Sequence, residues 1–274
     1  MSASRPASRV AIVTGASRGI GRGVALGLGE TGWTVYVTGR TLDAGQSERP
    51  GTLVDTSREI DKVGGVGIAV RCDHRDDADT AVLFHRVIEE QSRLDLLVNN
   101  ATAYTTDIGP PEDSPFWQQP TEVWDLMHSV GLRSYFIASV HAARVMIPSG
   151  RGLIVNISSI GAIKYTGHVS YSVVKAGVDM LTTGTAHELR NHGIAVVSLW
   201  PRLTRTEGVA AHPDRFPVAK AWSPLFNGRI VAALADDPAI LDLSGQALDL
   251  GAMAARYDVH DVDGRQPEPR PTRE

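Results

Sequence analysis

Between Thr14 and Gly21 the chain reads Thr-Gly-Ala-Ser-Arg-Gly-Ile-Gly, with its glycines in the order G-x-x-x-G-x-G. No other stretch limits the possible folds as strongly. Directly before it, Arg9 to Thr14 (RVAIVT) is a compact apolar run, which predicts a buried strand. Directly after it, Ile20 to Glu30 reads as a helix, with Gly32 as a stop just past its end. A glycine-rich turn here lets the backbone bend tightly and approach a pyrophosphate at the helix N-terminus. The alternative is a plain strand-to-helix turn. A second strand arriving at the right distance argues against it.

The alternation continues down the chain. Thr34 to Thr38, Val66 to Val70, Asp95 to Val98, Leu153 to Ile157 and Ile194 to Leu199 read as strands. A short helix through Lys62 and longer ones over 76–91, 121–147 and 170–191 fall between them. Thr121 is the expected N-cap of the 121–147 helix and Pro148 its stop; Gly193 stops the last helix. This order predicts an α/β fold, a single doubly wound Rossmann-type domain with a mostly parallel sheet and helices on both faces. The domain is expected over 1–265, with 266–274 (QPEPRPTRE) a disordered tail. Residues 43–52 read as a loop. Residues 102–120 carry four prolines with Tyr104, Phe116 and Trp117, and a loop of that length reads as functional. In such sheets ligands bind beyond the carboxyl ends of the strands.

Composition excludes other classes. A net charge of −4 without a Lys/Arg stripe argues against nucleic acid as a partner. The single cysteine, Cys72, rules out a disulfide framework and fits a reducing compartment. No apolar run reaches the ~18 residues that suggest a membrane span, and the N-terminus lacks a signal-peptide core. A soluble cytoplasmic protein is expected. The nine histidines show no metal-ligand spacing, so no metal is expected.

The end of the second strand bears on the cofactor. A carboxylate there binds the ribose 2′-hydroxyl of NAD, whereas an arginine suits a 2′-phosphate. Here the strand ends Thr38-Gly39-Arg40, with the first acid, Asp43, further on. Arg40 and Arg18 together would flank a phosphate. NADP(H) is therefore expected over NAD(H); two solvated arginines are the alternative.

The fifth strand ends Ile157-Ser158-Ser159, and Tyr171 and Lys175 follow on the next helix. Positions i and i+4 share a helix face. An ammonium beside a phenol favours the phenolate, which suits the phenol to proton exchange with a carbonyl or alcohol oxygen. A serine hydroxyl opposite can hydrogen-bond the same oxygen as charge develops.

With these pieces assembled, the chain resembles the short-chain dehydrogenase/reductase family. The matching runs are Thr14–Gly21, Asn99-Asn100-Ala101, Ser158-Ser159, Tyr171-x-x-x-Lys175 and Pro201, spread from residue 9 to about 206. Within the family it is most similar to the subgroup called family member 1. The runs pointing there include Val130-Gly131-Leu132-Arg133, Ser198-Leu199-Trp200-Pro201 and Asp261-Val262-Asp263-Gly264-Arg265. That subgroup carries a longer, hydrophobic C-terminal extension; this sequence ends soon after Arg265, in keeping with the expected soluble protein. The resemblance implies Tyr171 as general acid/base, with Lys175 on the nicotinamide ribose. It implies Ser159 on the substrate carbonyl, with Ser158 the alternative. It further implies cofactor contacts at Gly15, Ser17, Arg18, Gly19, Ile20, Gly21, Arg40, Asp73 (adenine), Asn99, Ala101, Pro201 and Thr206 (carboxamide).

Two positions depart from the family pattern. Gly131 stands where an asparagine usually helps hold a water near the lysine; with glycine, either a second water fills the space or Ser129 or Ser134 reaches in. Arg202 follows Pro201 where glycine is usual. It would crowd the cofactor, turn outward, or meet an acidic substrate group. Substrate recognition is expected from Tyr104, Phe116, Trp117, Tyr165, His168, Phe216, Trp222 and Phe226, which suit an apolar carbonyl or alcohol. Each aromatic taken singly reads first as core packing, and His168 as an exposed loop residue with a pocket donor as the alternative. A homodimer or homotetramer through the helices 121–147 and 170–191 is implied by the family. The reading is a reductase of ketones or aldehydes; a non-catalytic NADPH-binding sensor or scaffold is the alternative.

Overall fold

The computed structural model describes residues 9–103 and 114–269. In chain order its elements begin β1 (Val10–Thr14), α1 (Gly19–Glu30), β2 (Thr34–Gly39), α2 (Leu53–Lys62), β3 (Val66–Arg71), α3 (Asp77–Gln91) and β4 (Leu96–Asn99). They continue α4 (Thr121–His128), α5 (Ser134–Met146), β5 (Gly152–Ile157), α6 (Val169–Leu189) and β6 (Ile194–Trp200). The last are α7 (Glu207–Ala210), α8 (Pro224–Asp236), β7 (Ala247–Asp249) and α9 (Leu250–Tyr257).

The strands form one sheet in the order β3-β2-β1-β4-β5-β6-β7, and every neighbouring pair is parallel. Near-continuous apolar runs such as Val10–Thr14 suit strands covered on both faces, and every residue of β1 is buried. The chain winds outward from β1 through β2 to β3, then returns to lay β4 on the other side of β1. The loops after β1 and β4 part at that reversal and open a crevice at the carboxyl edge.

One apolar layer packs α1, α8 and α9 on the sheet through Val24, Leu28, Phe226, Ile230 and Met253. The opposite layer packs α3, α5 and α6 through Leu83, Phe84, Ala138, Ala142 and Ala186. α1 and α8 touch backbone to backbone. A Cβ on Gly27 would lie 2.3 Å from the Gly228 carbonyl carbon, and one on Gly228 would lie 2.1 Å from the Gly23 oxygen. Glycine is required on both helices, and the contact fixes α1 at a set height above β1.

The structure corrects several expectations. The helix expected over 121–147 is α4 and α5 joined by a π-helical turn, Ser129–Arg133, and ended by a 3₁₀ turn, Ile147–Ser149. Thr121 is the first helical residue rather than the cap; Pro120 holds the cap position without a side-chain bond. The helix expected over 170–191 begins one residue earlier and closes in a 3₁₀ turn before Gly193, which takes φ +70°. β7, α8 and α9 were not expected. Part of the presumed tail is anchored: Gln266 Nε2 donates to the carbonyls of Ala254 and Val259, and Pro267 is buried. Among the described residues, no helix is long and apolar enough to cross a membrane, and no His/Cys/Asp/Glu group is arranged to hold a metal.

Candidate active site

A cleft of about 950 Å³ opens at the carboxyl edge of the sheet above the β1/β4 reversal. Its floor is the glycine turn. Gly15 and Gly19 adopt φ of +66° and +59°, the left-handed region that glycine enters without steric cost. A Cβ on Gly15 would stand 2.8 Å from Ala101 Cα, and one on Gly21 would stand 2.5 Å from the Gly15 oxygen. The turn is held from the β4 side. The Asn100 side chain donates to the carbonyls of Thr14 and Gly15 at 2.9 and 3.1 Å. The Thr14 hydroxyl accepts from the N–H groups of Asn100 and Ala101 at 2.9 and 3.0 Å. The start of α1 fits the pyrophosphate of a dinucleotide; in this structure the Gly19 N–H donates to the Glu207 carboxylate at 2.8 Å, so an anionic group already sits on that helix end.

At one end of the cleft, Arg18 leans on the loop after β2. Its guanidinium donates to Thr41 Oγ1 at 3.3 Å and to the Gly51 carbonyl at 3.1 Å. Arg40 is exposed at the tip of β2 beside it, and both line the cleft. Asp73 also lines it, paired with Arg75 at 2.6 Å. That hydrogen bond, reinforced by the nearby charge of Arg40, pulls the Asp73 carboxyl down to about 2. Next to it His74 is buried, its Nε2 2.8 Å from Thr38 Oγ1, and burial pushes its pKa down to about 4. His74 is therefore a neutral wall residue at pH 7.

At the other end stand the reactive groups. α6 starts at His168, whose Nδ1 accepts the Tyr171 N–H at 3.4 Å while its Nε2 lies 3.0 Å from Gln119 Oε1. His168 is thus a helix cap that sets the phase of α6, not a free loop residue. Tyr171 and Lys175 lie one turn apart and both line the cleft. Ser159 Oγ accepts the Gly161 N–H at 2.9 Å. Gly161 keeps the space between serine and tyrosine open: a Cβ there would lie 2.9 Å from both Ser159 Oγ and Tyr171 Cε1. Ser158 is buried, donates to the Lys175 carbonyl at 3.3 Å and also lines the cleft.

Lys175 is 5% exposed. Its Nζ donates to the Ile157 carbonyl at 2.8 Å and lies 5.7 and 5.9 Å from the ring centres of Tyr171 and Tyr135. Burial pulls its pKa down to about 8, against a smaller upward pull from Asp179. Tyr135 is fully buried, and burial raises its pKa.

Of the residues expected at the site, Gly15, Ser17, Arg18, Gly19, Ile20, Arg40, Asp73, Ala101, Ser159, Tyr171, Lys175, Pro201 and Thr206 line this cleft. Gly21 lies just beneath it. Asn99 is the exception. Its side chain points into the α5 layer, donating to Asn156 Oδ1 at 2.9 Å and to Ser139 Oγ at 3.2 Å. Strand alternation turns Asn99 inward and gives the cleft to Asn100. Arg202 lines the cleft and is partly buried. It is tied to Asp249 at 2.8 Å and to the Glu268 carbonyl at 2.7 Å. Gly131 sits in the π turn, where a Cβ would press to 3.0 Å of Val174 Cγ1. Ser129 and Ser134 do not reach in; each donates to a carbonyl of its own helix.

The expected substrate aromatics divide. Phe226 is core and Trp222 packs on it, 5.3 Å between ring centres. Phe116, Trp117 and Tyr165 are exposed, and Tyr104 lies outside the described residues.

The short chain dehydrogenase family profile matches residues 9–215. The chain belongs to the short-chain dehydrogenase/reductase family, oxidoreductases that bind a nicotinamide cofactor. It is 44% identical over 271 residues to dehydrogenase/reductase SDR family member 1 of Homo sapiens, covering 94% of this chain and 84% of that protein. Among solved structures it is similar to a metagenomic short-chain oxidoreductase in complex with NADP. That match has a TM-score of 0.68 and 30% identity, over 84% of this chain and 92% of the other. It is also similar to a variant of actinorhodin polyketide ketoreductase with NADPH. There the TM-score is 0.75 and the identity 28%, over 88% and 95% of the two chains.

Proposed function

We propose that the protein is an NADPH-dependent reductase of apolar ketones or aldehydes, reversible as an alcohol dehydrogenase, with Tyr171 as general acid/base. The observation that carries this reading is the meeting of Ser159, Tyr171 and Lys175 in the cleft that the glycine turn floors. When bound, the cofactor supplies the hydride. Ser159 hydrogen-bonds the substrate oxygen, and Tyr171 gives that oxygen a proton as charge builds on it. Lys175, an ammonium below about pH 8, stabilises the negative charge left on the phenolic oxygen. The Ile157 carbonyl holds the ammonium in place at 2.8 Å.

NADPH preference rests on Arg18, at the start of α1, and Arg40, just past β2, which both line the cleft, and on a strand end, Thr38-Gly39-Arg40, that carries no carboxylate. The NADP and NADPH complexes of similar proteins support it. The sensor alternative draws on Arg202 and Gly131; the tie of Arg202 to Asp249 favours the enzyme by anchoring that side chain. The single buried thiol, Cys72, fits a reducing, cytoplasmic setting. The test is consumption of NADPH and NADH against a panel of apolar ketones, aldehydes and quinones. Turnover with NADPH preferred is the expected result. Tight NADPH binding with no turnover on any carbonyl would favour the sensor.

Assembly as a homodimer or homotetramer is part of the same reading. Val169, Val173 and Met180 make an exposed apolar stripe along α6, and Phe136 is exposed on α5. Sedimentation of the purified protein should give a dimer or tetramer; a monomer at micromolar concentration would contradict it.

A further inference from the structure

Glu207 ties the segment after β6 to the glycine turn. It is the first residue of α7, and its Oε2 accepts the Gly19 N–H at 2.8 Å. The first N–H groups of a helix have no partner within it. The start of α1 supplies none of its own: Arg18 holds the cap position without a side-chain bond, and the first turn carries no acidic residue. Glu207 brings the negative charge that this helix end favours. The packing is close as well. A Cβ on Gly19 would lie 3.3 Å from Thr206 Cγ2 and 3.9 Å from Glu207 Oε2. The chain just before this contact is pinned elsewhere. The Arg205 N–H donates to the Trp222 carbonyl at 2.8 Å, and the Trp222 N–H donates to the Leu203 carbonyl at 2.9 Å. α7 itself spans four residues. A single turn does not hold its helical form alone in water. It depends on what it leans against, and Thr206 and Glu207 are where it meets α1.

We propose that Glu207 is a competitor built into the cofactor site: its carboxylate and the phosphates of the nicotinamide cofactor exclude one another at Gly19, so Glu207 sets how tightly the cofactor binds and links that binding to the position of α7. The inference rests on the glycine turn as the seat of the phosphates, and not on which carbonyl is reduced. One N–H serves one anion at full strength. Two anions within hydrogen-bond distance of the same donor repel, and more strongly in a cleft than in open water. A dinucleotide that reaches the start of α1 therefore pushes the carboxylate away, and that cost is subtracted from its affinity. The displaced side chain takes α7 with it. Because the chain up to Arg205 is pinned to Trp222, the movement begins at Thr206, whose Oγ1 caps α7 by accepting the Val209 N–H at 3.3 Å. Thr206 and Val209 both line the cleft that holds Tyr171 and Lys175, so phosphate binding at one end changes the wall of the whole cleft. The coupling is reciprocal: whatever holds α7 against α1 weakens cofactor binding by the same factor.

Glu207 is half-buried, and Glu207→Gln removes its charge at nearly constant volume. Glu207→Ala, which removes the acceptor as well, is the second variant. Fluorescence titration with NADPH should give a Kd about tenfold lower in both than in the unsubstituted protein. ADP-ribose, which carries the pyrophosphate without the nicotinamide, isolates the displacement step. At saturation it should speed hydrogen exchange at the Val209, Ala210 and Ala211 amides of the unsubstituted protein, whose bonds run to Thr206 and Glu207. In Glu207→Ala the same amides should exchange fast before any ligand is added. An unchanged NADPH Kd in both folded variants overturns the proposal, as does exchange at these amides that bound ADP-ribose leaves unaltered or slows. Tighter NADPH binding by the variants of a protein that turns over no carbonyl would overturn the reductase reading and leave this one standing.

Discussion

Lys175→Met should abolish most carbonyl reduction and yet make the fold more stable at neutral pH. The two effects share one cause. The ammonium is 5% exposed, and burial pulls its pKa from 10.5 to about 8. The unfolded chain therefore holds that proton more tightly than the folded one. The penalty on folding is full below about pH 8 and is lifted as pH rises from there to 10.5. Methionine fills a similar volume without a charge. It should raise the unfolding free energy by on the order of 1–3 kcal/mol at pH 7, with the gain fading above pH 10. Denaturant unfolding at pH 7 and pH 10 measures both ends. Turnover should fall by about a hundredfold or more, since nothing then stabilises the charge on Tyr171. A variant that is both inactive and less stable would mean that the lysine serves the fold and not the reaction.

Tyr171→Phe should lower kcat by about a thousandfold while NADPH binding stays close to normal. The ring remains and only the proton donor is lost. Tyr171 stands at the opening beside Ser159 and Gly161, so the substitution leaves no buried cavity. Fluorescence titration with NADPH and steady-state rates on the same preparation separate the two quantities. A parallel loss of cofactor affinity would point to a collapsed α6 start rather than a missing acid.

Much of this arrangement was legible in the sequence because it depends on local patterns. The glycine turn announced itself by spacing, and the structure gives the reason: Gly15 and Gly21 meet backbone within 2.8 Å of any added carbon. The Tyr171–Lys175 pair was legible because helical periodicity alone puts both on one face. Other features depend on contacts distant in the chain and left no local mark. Arg202 reads as an intruder beside the cofactor until Asp249 and the Glu268 carbonyl are seen to hold it. Gly131 reads as a missing asparagine, whereas the structure uses it to fit a π turn against Val174. β7 spans only three residues, too few for a periodic signal. The Asn99 side chain turns into the α5 layer and Asn100 lines the cleft, because one residue along an extended chain reverses the face.

The central claim is that Ser159, Tyr171 and Lys175 pass hydride and proton to a carbonyl, and isotope transfer tests it most directly. NADPH deuterated at the transferable position is mixed with the best apolar ketone, and the product alcohol is analysed by mass spectrometry. The account predicts deuterium on the carbinol carbon with the unsubstituted protein and at least a hundredfold less label in the same time with Tyr171→Phe. Equal labelling by the two proteins, or none by either while NADPH binds tightly, would contradict it.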